Sequence, residues 1–450
     1  MSACYDSCAG GAGSGEDSVV VGAGKGVCTG FTGKGRGVYA GLSVKLLCVW
    51  SVCSVLCVAY LLYLPLPPNL SEPLKLMLVA ATFRGVTKAG DLAQSLGLTH
   101  HIHLINSVVT QFESLVPLDY EDVRTEDTDF SGVQVRVYQP GVNDASGLRG
   151  AVVFFHGGGW ALGAPKLGSY DLICRKMASE LKAVVVTVDY RMAPDVRFPV
   201  QYEECLKASR FFLQNKVLQF YSVDPQRVAV CGDSAGGNLA AAVAQQIGQD
   251  NSTGKFKLQV LIYPVLQALD FNTASYQQNQ QIPILYRELM AHYWLEYLGA
   301  EPELIHTLLL NNHTARDQVL AEPHRAKLDW TEVLPEAMQK GYRRVLPKHG
   351  SAQVLREVPG LLDARAAPLL AETNVLKAAP RAYVMTCEHD ILRDDGLMYV
   401  HRLHDAGVPV TSHHYDDCFH GCVSFAFWPA YFSAGIRSVN DYIAWLREQL

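Results

Sequence analysis

The stretch Arg227-Val228-Ala229-Val230-Cys231-Gly232-Asp233-Ser234-Ala235-Gly236, which runs on into the Ala-rich segment from Asn238 to Gln246, decides the fold. Its first five residues read as a strand, the Ala-rich segment as a helix, and the glycine-flanked pentapeptide between them as a tight turn. Strand, turn and helix in that order lift the Ser234 hydroxyl clear of the backbone at a helix N-terminus. Gly232 and Gly236 matter because such a turn strains the residue it carries, and a side chain beyond methyl size at either position would collide with it. Gly-x-Ser-x-Gly alone recurs by chance; here its context and a second motif give it weight.

That second motif is His156-Gly157-Gly158-Gly159, placed after the apolar run Ala151 to Phe155. Consecutive glycines leave backbone N–H groups free to point at a ligand oxygen, as the oxyanion of an acyl-transfer intermediate requires. One such donor contributes about 3–4 kcal/mol to lowering the barrier. Gly157, Gly158 and Ala235 are the expected donors. An isolated Gly triplet reads as a flexible loop; a triplet two predicted strands before the Ser234 turn reads as part of a site.

Outward from these motifs the chain alternates. Val133 to Tyr138, Ala151 to Phe155, Ala183 to Val188, Arg227 to Cys231, Leu258 to Ile262, Arg381 to Thr386 and Val408 to His414 read as strands. Helical patterns such as Leu167 to Leu181 and Glu203 to Gln214 separate several of them. The alternation predicts an α/β fold with a mostly parallel sheet covered by helices on both faces. Two stretches break the rhythm. Ser71 to about Glu113 looks helical, and Asp270 to about Asn374 is mixed and Tyr/Leu-rich without a clear strand. Both are read as parts of a cap, with peripheral packing as the plainer alternative.

A Ser hydroxyl is a poor nucleophile until a base takes its proton, and the base needs an acid to hold its tautomer. In this architecture the chain order is Ser, then Asp or Glu, then His. Of the 15 histidines, His420 follows a late strand in Asp416-Asp417-Cys418-Phe419-His420-Gly421, whereas His413 and His414 sit on the strand itself. Asp390 lies past the end of the strand Arg381 to Thr386 and is preferred to Glu388. Asp394 and Asp395 are read as carboxylates at a helix N-terminus, capping N–H groups.

Composition sets the outer bounds. With 450 residues, 49% hydrophobic residues and a net charge of −6, the chain is a globular protein without the basic excess of a nucleic-acid surface. Residues 1–41 are Gly- and Ser-rich and too poor in bulky residues to fold. Residues 42–66 hold the uncharged apolar run Leu46 to Leu66, close to the roughly 20 residues that cross a bilayer as a helix. Its bulky exit, Tyr60-Leu61-Leu62-Tyr63-Leu64-Pro65, fits a signal anchor better than a cleaved signal. Lys25, Lys34, Arg36 and Lys45 precede the run with no acid after Asp17, which orients the N-terminus to the cytoplasm. Residues 67–115 are then an N-terminal helical cap segment, and 116–450 a catalytic domain with a cap insertion at about 270–374.

Three Asn-X-Ser/Thr sequons follow the run, at Asn69, Asn251 and Asn312. Asn69 is too near the membrane for a glycan; Asn251 and Asn312 are the candidates. Of 12 cysteines, six fall after the run: Cys174, Cys205, Cys231, Cys387, Cys418 and Cys422. None has metal-ligand spacing, and an oxidising lumen would permit one unassigned bridge. The chemistry needs no metal and no organic cofactor.

Together, His156-Gly-Gly-Gly, Tyr190-Arg-Met-Ala-Pro194, Gly232-Asp-Ser-Ala-Gly236, Asp390-Ile-Leu-Arg-Asp394 and Phe419-His420-Gly421 resemble the hormone-sensitive-lipase branch of the α/β-hydrolases. The Tyr-Leu-Pro-Leu-Pro-Pro exit, Ala366-Ala-Pro-Leu-Leu370 and Arg393-Asp-Asp-Gly-Leu-Met-Tyr-Val400 extend the likeness to the arylacetamide deacetylases of that branch, over roughly residues 42–450. Met192 and Asp195 depart from the commoner Leu and Glu without touching the chemistry. The resemblance implies a single-pass type II glycoprotein of the endoplasmic reticulum membrane with a lumenal catalytic domain. Carboxylic esters and arylacetamides are its implied substrates, with cholesterol esters or acylglycerols as the alternative. The branch's fold also serves as a ligand-binding receptor where the triad is damaged; here Ser234, Asp390 and His420 are all present.

Overall fold

The run Val184-Val185-Val186-Thr187-Val188 is buried at every position, and so is Leu258 to Ile262. β-branched residues without polar alternation suit strands packed on both faces. The computed structural model describes residues 49–52, 63–117, 119–141 and 147–450. Residues Leu62–Leu450 cluster as one compact unit. Most of the expected anchor lies outside the described residues, and among those described no helix is long and apolar enough to cross a membrane.

Eight strands form one sheet: β1 (Arg124–Asp129), β2 (Gln134–Gln139), β3 (Arg149–Phe155), β4 (Val184–Val188), β5 (Val223–Asp233), β6 (Leu258–Ile262), β7 (Arg381–His389) and β8 (Val410–Phe419). Their order is β1-β2-β4-β3-β5-β6-β7-β8. β1 and β2 run antiparallel at one edge, and every pair from β4 to β8 is parallel. The seven expected strands are all present. β1 was not expected, because Arg-Thr-Glu-Asp-Thr-Asp contains no apolar residue: it is an exposed edge strand paired only with β2. β8 extends five residues beyond the expected end at His414, bringing its carboxyl end directly to His420.

Among the described residues eight helices of twelve residues or more accompany the sheet: α1 (Pro73–Ser95), α2 (His101–Glu113), α3 (Gly168–Leu181), α4 (Val200–Phe212), α5 (Ala235–Gln249), α6 (Arg287–Leu298), α7 (Arg393–Asp405) and α8 (Ser433–Gln449). Strand side chains alternate between two cores, as a pleat requires. Val153 and Val230 pack with Leu239 of α5 and Met398 of α7. Val152, Phe154 and Cys231 pack with Ile173 of α3 and Tyr442 of α8. Helices therefore cover both faces, as parallel strands demand.

Between β6 and β7 there is no strand. Short helical turns fill residues 274–376 around α6. Such pieces of three to five residues are too short to show a helical period in the sequence, which explains its mixed character there.

Candidate active site

The parallel strands end on one edge of the sheet, and their next residues are the ones singled out above. His156 follows β3, Ser234 follows β5, Asp390 follows β7 and His420 follows β8. Sites in open α/β sheets form at these carboxyl ends.

Ser234 has φ 53° and ψ −118°, a strained conformation imposed by the turn from β5 into α5. The neighbours leave no room for side chains. A Cβ on Gly232 would stand 2.2 Å from the Gly236 carbonyl oxygen, and one on Gly236 2.0 Å from that of Phe155. The turn is pinned to the sheet by the Ser234 N–H, which donates to the Ile262 carbonyl at 2.9 Å.

His420 brings the three polar side chains together. Its Nε2 lies 2.9 Å from Ser234 Oγ and its Nδ1 2.8 Å from Asp390 Oδ2. This spacing assigns Nδ1–H as donor to the carboxylate and leaves Nε2 to accept from the serine hydroxyl. Asp390 is 1% exposed, and its other oxygen accepts the Leu392 N–H at 2.8 Å. Tyr263, just past β6, packs its ring 4.8 Å from that of His420. Cys418 and Cys422 are joined by a disulfide that brackets His420, with the Cys387 sulfur within 4.8 Å.

Glu388, the alternative acid, faces elsewhere. It pairs with Arg393 and His414, and although burial pushes its carboxyl up, these partners bring it down to about 2. Asp394 and Asp395 do not cap their own helix. Asp394 accepts the Ser275 N–H and Asp395 the Leu266 N–H, both from the segment that follows β6.

One expectation needs correcting. The Gly157 N–H is not free: it donates to Asp233 Oδ1 at 2.8 Å and lies 3.0 Å from the Tyr170 hydroxyl. Asp233 reaches back 76 residues to pin the glycine loop, which no local pattern reveals. Burial pushes Asp233 up to about 6, against the pull of that N–H. Gly158, Gly159 and Ala235 make no backbone N–H bond to another group among the described residues. The donors available for an oxyanion are therefore Gly158, Gly159 and Ala235. His156 is structural: its ring stacks on Tyr190 at 4.4 Å, its carbonyl accepts the Tyr190 hydroxyl, and burial holds it neutral at about 4.

The two irregular segments touch this edge. Asn106 of α2 donates to the Ala161 carbonyl and accepts the Gly163 N–H, fixing the loop after the glycines. The Tyr293 ring of α6 packs against Gly159, and Ile284 lies beside Gly421. Tyr170, Asn106 and Tyr293 were not foreseen, because each acts through a contact distant in sequence. The two glycosylation candidates differ: Asn251 is exposed after α5, whereas Asn312 is half-buried and its sequon hydroxyl, on Thr314, is buried and bonded to the Leu269 carbonyl.

A nucleophile on a strand–helix turn, a base, an acid and three unpaired N–H groups define a serine-hydrolase site on an α/β-hydrolase sheet. The chain belongs to the alpha/beta hydrolase fold family, whose pattern matches residues 152–352 and 316–424. It is 48% identical over 404 residues to neutral cholesterol ester hydrolase 1 of Mus musculus, covering 90% of this chain and 99% of that protein. It is 43% identical over 394 residues to arylacetamide deacetylase of Oryctolagus cuniculus, covering 87% and 96%. Among solved structures it resembles EstE1, a thermophilic carboxylesterase cloned from a metagenomic library, with 28% identity, a TM-score of 0.57, and 78% and 97% coverage. The likeness to arylacetamide deacetylases is thus shared with a cholesterol ester hydrolase at higher identity. The chain is an esterase/lipase-type carboxylic ester hydrolase.

Proposed function

We propose that this protein is a membrane-anchored serine esterase acting on lipophilic carboxylic esters and arylacetamides by two-step acyl transfer. The observation that carries the reading is the continuous chain Asp390–His420–Ser234, at 2.8 and 2.9 Å. His420 takes the Ser234 proton as Oγ attacks the substrate carbonyl, and Asp390 stabilises the imidazolium that forms. The oxyanion is held by the N–H groups of Gly158, Gly159 and Ala235. His420 then protonates the leaving alcohol or amine, and water, activated by the same histidine, releases the acid from the acyl-serine.

The segments 67–115 and 270–374 act as the cap that receives the substrate, in keeping with Asn106 and Tyr293 reaching the glycine loop. The Cys418–Cys422 bridge supports an oxidising compartment, hence a lumenal catalytic domain in the endoplasmic reticulum. A cholesterol ester or acylglycerol preference is the second reading, favoured by the 48% identity to neutral cholesterol ester hydrolase 1. Membranes carrying the wild-type chain and Ser234→Ala decide both points when assayed side by side with a nitrophenyl ester, an arylacetamide, a cholesteryl ester and an acylglycerol. Ser234→Ala should lose all turnover and all labelling by a fluorophosphonate; retained turnover would sink the mechanism. The fastest wild-type substrate assigns the preference.

A further inference from the structure

Helix α1 carries an exposed stripe that contains no charge. Positions 74, 78, 82, 85, 89, 92 and 96 are Leu, Leu, Thr, Gly, Ala, Leu and Leu, and all are exposed. Their spacing of three and four keeps them on one side of the helix. Leu74 is 74% exposed, Leu92 60% and Leu96 64%. From 74 to 96 the stripe extends about 33 Å. Its charged neighbours on the helix, Lys75, Arg84, Lys88 and Asp91, flank it.

The stripe has company at its first turn. Lys75 Nζ donates to the Tyr431 carbonyl, and Ser433 N–H bonds the Glu72 carboxylate, so the loop before α8 lies against the start of α1. In that loop Trp428 and Tyr431 are exposed, and the Trp428 ring stacks on Phe112 of α2 at 6.5 Å. Phe112 in turn belongs to an exposed apolar series, Val108 and Phe112 of α2 and Leu115 just beyond its end. Apolar areas of this extent on a protein surface mark contacts with another phase or partner.

Two observations favour one occupant. The uncharged run ending at Leu66 stands seven residues before Pro73, and seven residues reach at most about 25 Å. A chain held in a bilayer by that run keeps the start of α1 close to the bilayer surface. The composition of the patch also fits a membrane interface, with Leu and Phe on the inserted side, Trp and Tyr at the level of the headgroups and lysines at the flank.

We infer that the outer face of α1, with Phe112, Trp428 and Tyr431, lies in the bilayer interface and seats the cap on the lipid that holds the substrate. The inference rests on reading residues 46–66 as a membrane anchor. It adds a second, separate membrane contact made by the folded domain itself.

The test uses the full chain in phosphatidylcholine vesicles, with and without lipids brominated in the acyl chains. The emission contributed by Trp428 is the difference between wild type and Trp428→Phe. It should fall by about half or more in brominated vesicles, and lose that quenching in the double variant Leu78→Asp/Leu92→Asp. Relative to its rate on a water-soluble nitrophenyl ester, the double variant should also hydrolyse a long-chain ester dissolved in the vesicles about tenfold more slowly than wild type does. Unquenched Trp428, or a double variant that quenches like wild type, overturns the inference. So does a second copy on this face, seen as a Leu92→Cys cross-linked dimer on the vesicles. Extraction of the wild type by alkaline carbonate would refute the anchor alone, because the quenching measured before extraction still decides the docking face.

Discussion

Asp233→Ala separates the two possible roles of Gly157. In the folded protein the Asp233 carboxylate accepts the Gly157 N–H at 2.8 Å and the Tyr170 hydroxyl at 3.3 Å. With its pKa pushed up to about 6 by burial, it is largely ionised at pH 7.5. Truncation leaves the buried Tyr170 hydroxyl without its carboxylate acceptor, a cost of about 1–3 kcal/mol partly offset because a buried charge is also removed, and leaves the Gly157 N–H with the Tyr170 hydroxyl oxygen as its remaining acceptor. The larger effect should be catalytic. The glycine loop would lose the bond that fixes where Gly158 and Gly159 point, and a misplaced oxyanion donor costs about 2.7–4 kcal/mol, or roughly 10²–10³ in kcat. Since the bond acts on the transition state, KM for a short nitrophenyl ester should stay within about threefold. Asp233→Asn keeps an acceptor oxygen and should recover most of the rate. Initial rates at pH 7.5, with circular dichroism to verify folding, provide the assay. A folded Asp233→Ala enzyme with kcat at or above wild type would refute the reasoning, because the released Gly157 N–H would then be serving the oxyanion itself.

Asp390→Asn should leave the fold intact yet lower kcat by about 10⁴, because an amide cannot hold His420 in the required tautomer or stabilise its charge; steady-state rates on a nitrophenyl ester test this. Burial pushes Asp395 up to about 8, so the folded chain keeps a proton that the unfolded chain releases near 4. Its contribution to stability therefore declines as pH rises from about 4 to about 8, and Asp395→Asn should flatten the thermal unfolding midpoint across that window, read by calorimetry. If the catalytic domain is lumenal, Asn251→Gln should abolish an endoglycosidase-sensitive mobility shift that Asn312→Gln leaves in place, since the Asn312 sequon is closed by the buried Thr314 hydroxyl.

Much of this site was legible because its chemistry coincides with local backbone requirements. The Ser234 turn needs small residues where Cβ atoms would collide with backbone oxygens, and that need is written as Gly232 and Gly236. Asp390 and His420 could be chosen by position, since Asp390 stands just past a largely buried strand announced by Tyr383, Val384, Met385 and Thr386, and His420 just past the half-buried edge strand that follows it. What escaped the sequence depends on pairs far apart in the chain. The N–H of Gly157 looks available until Asp233 arrives from another strand. Asp394 and Asp395 look like caps of their own helix until Ser275 and Leu266 present N–H groups to them. A carboxylate's type announces that it will accept hydrogen bonds; only the fold selects the donor.

Those distant pairs also separate chemistry from selectivity. The loop carrying Asp390 is laced to the segment after β6 at several points. Asn279 donates to the Glu388 and Asp390 carbonyls, Ser275 Oγ to the Ile391 carbonyl, and Asp394 and Asp395 accept N–H groups from Ser275 and Leu266. The buried Arg393 joins the exposed Gln278, the half-buried Glu388 and the buried Asp394 in the same cluster. The insertion between β6 and β7 thus begins on a fixed base that also holds the catalytic acid. Beyond residue 280 no such bonds to the acid loop occur among the described residues, and the segment reaches the site through side chains such as Ile284 and Tyr293. A densely bonded base tolerates few changes, because each lost partner leaves a polar group unsatisfied. Half-buried apolar side chains such as Ile284 and Tyr293 leave no polar group unsatisfied when exchanged, and apolar swaps of similar volume are the best tolerated. Substrate range can therefore shift through the insertion's outer part while the Ser234–His420–Asp390 distances stay fixed.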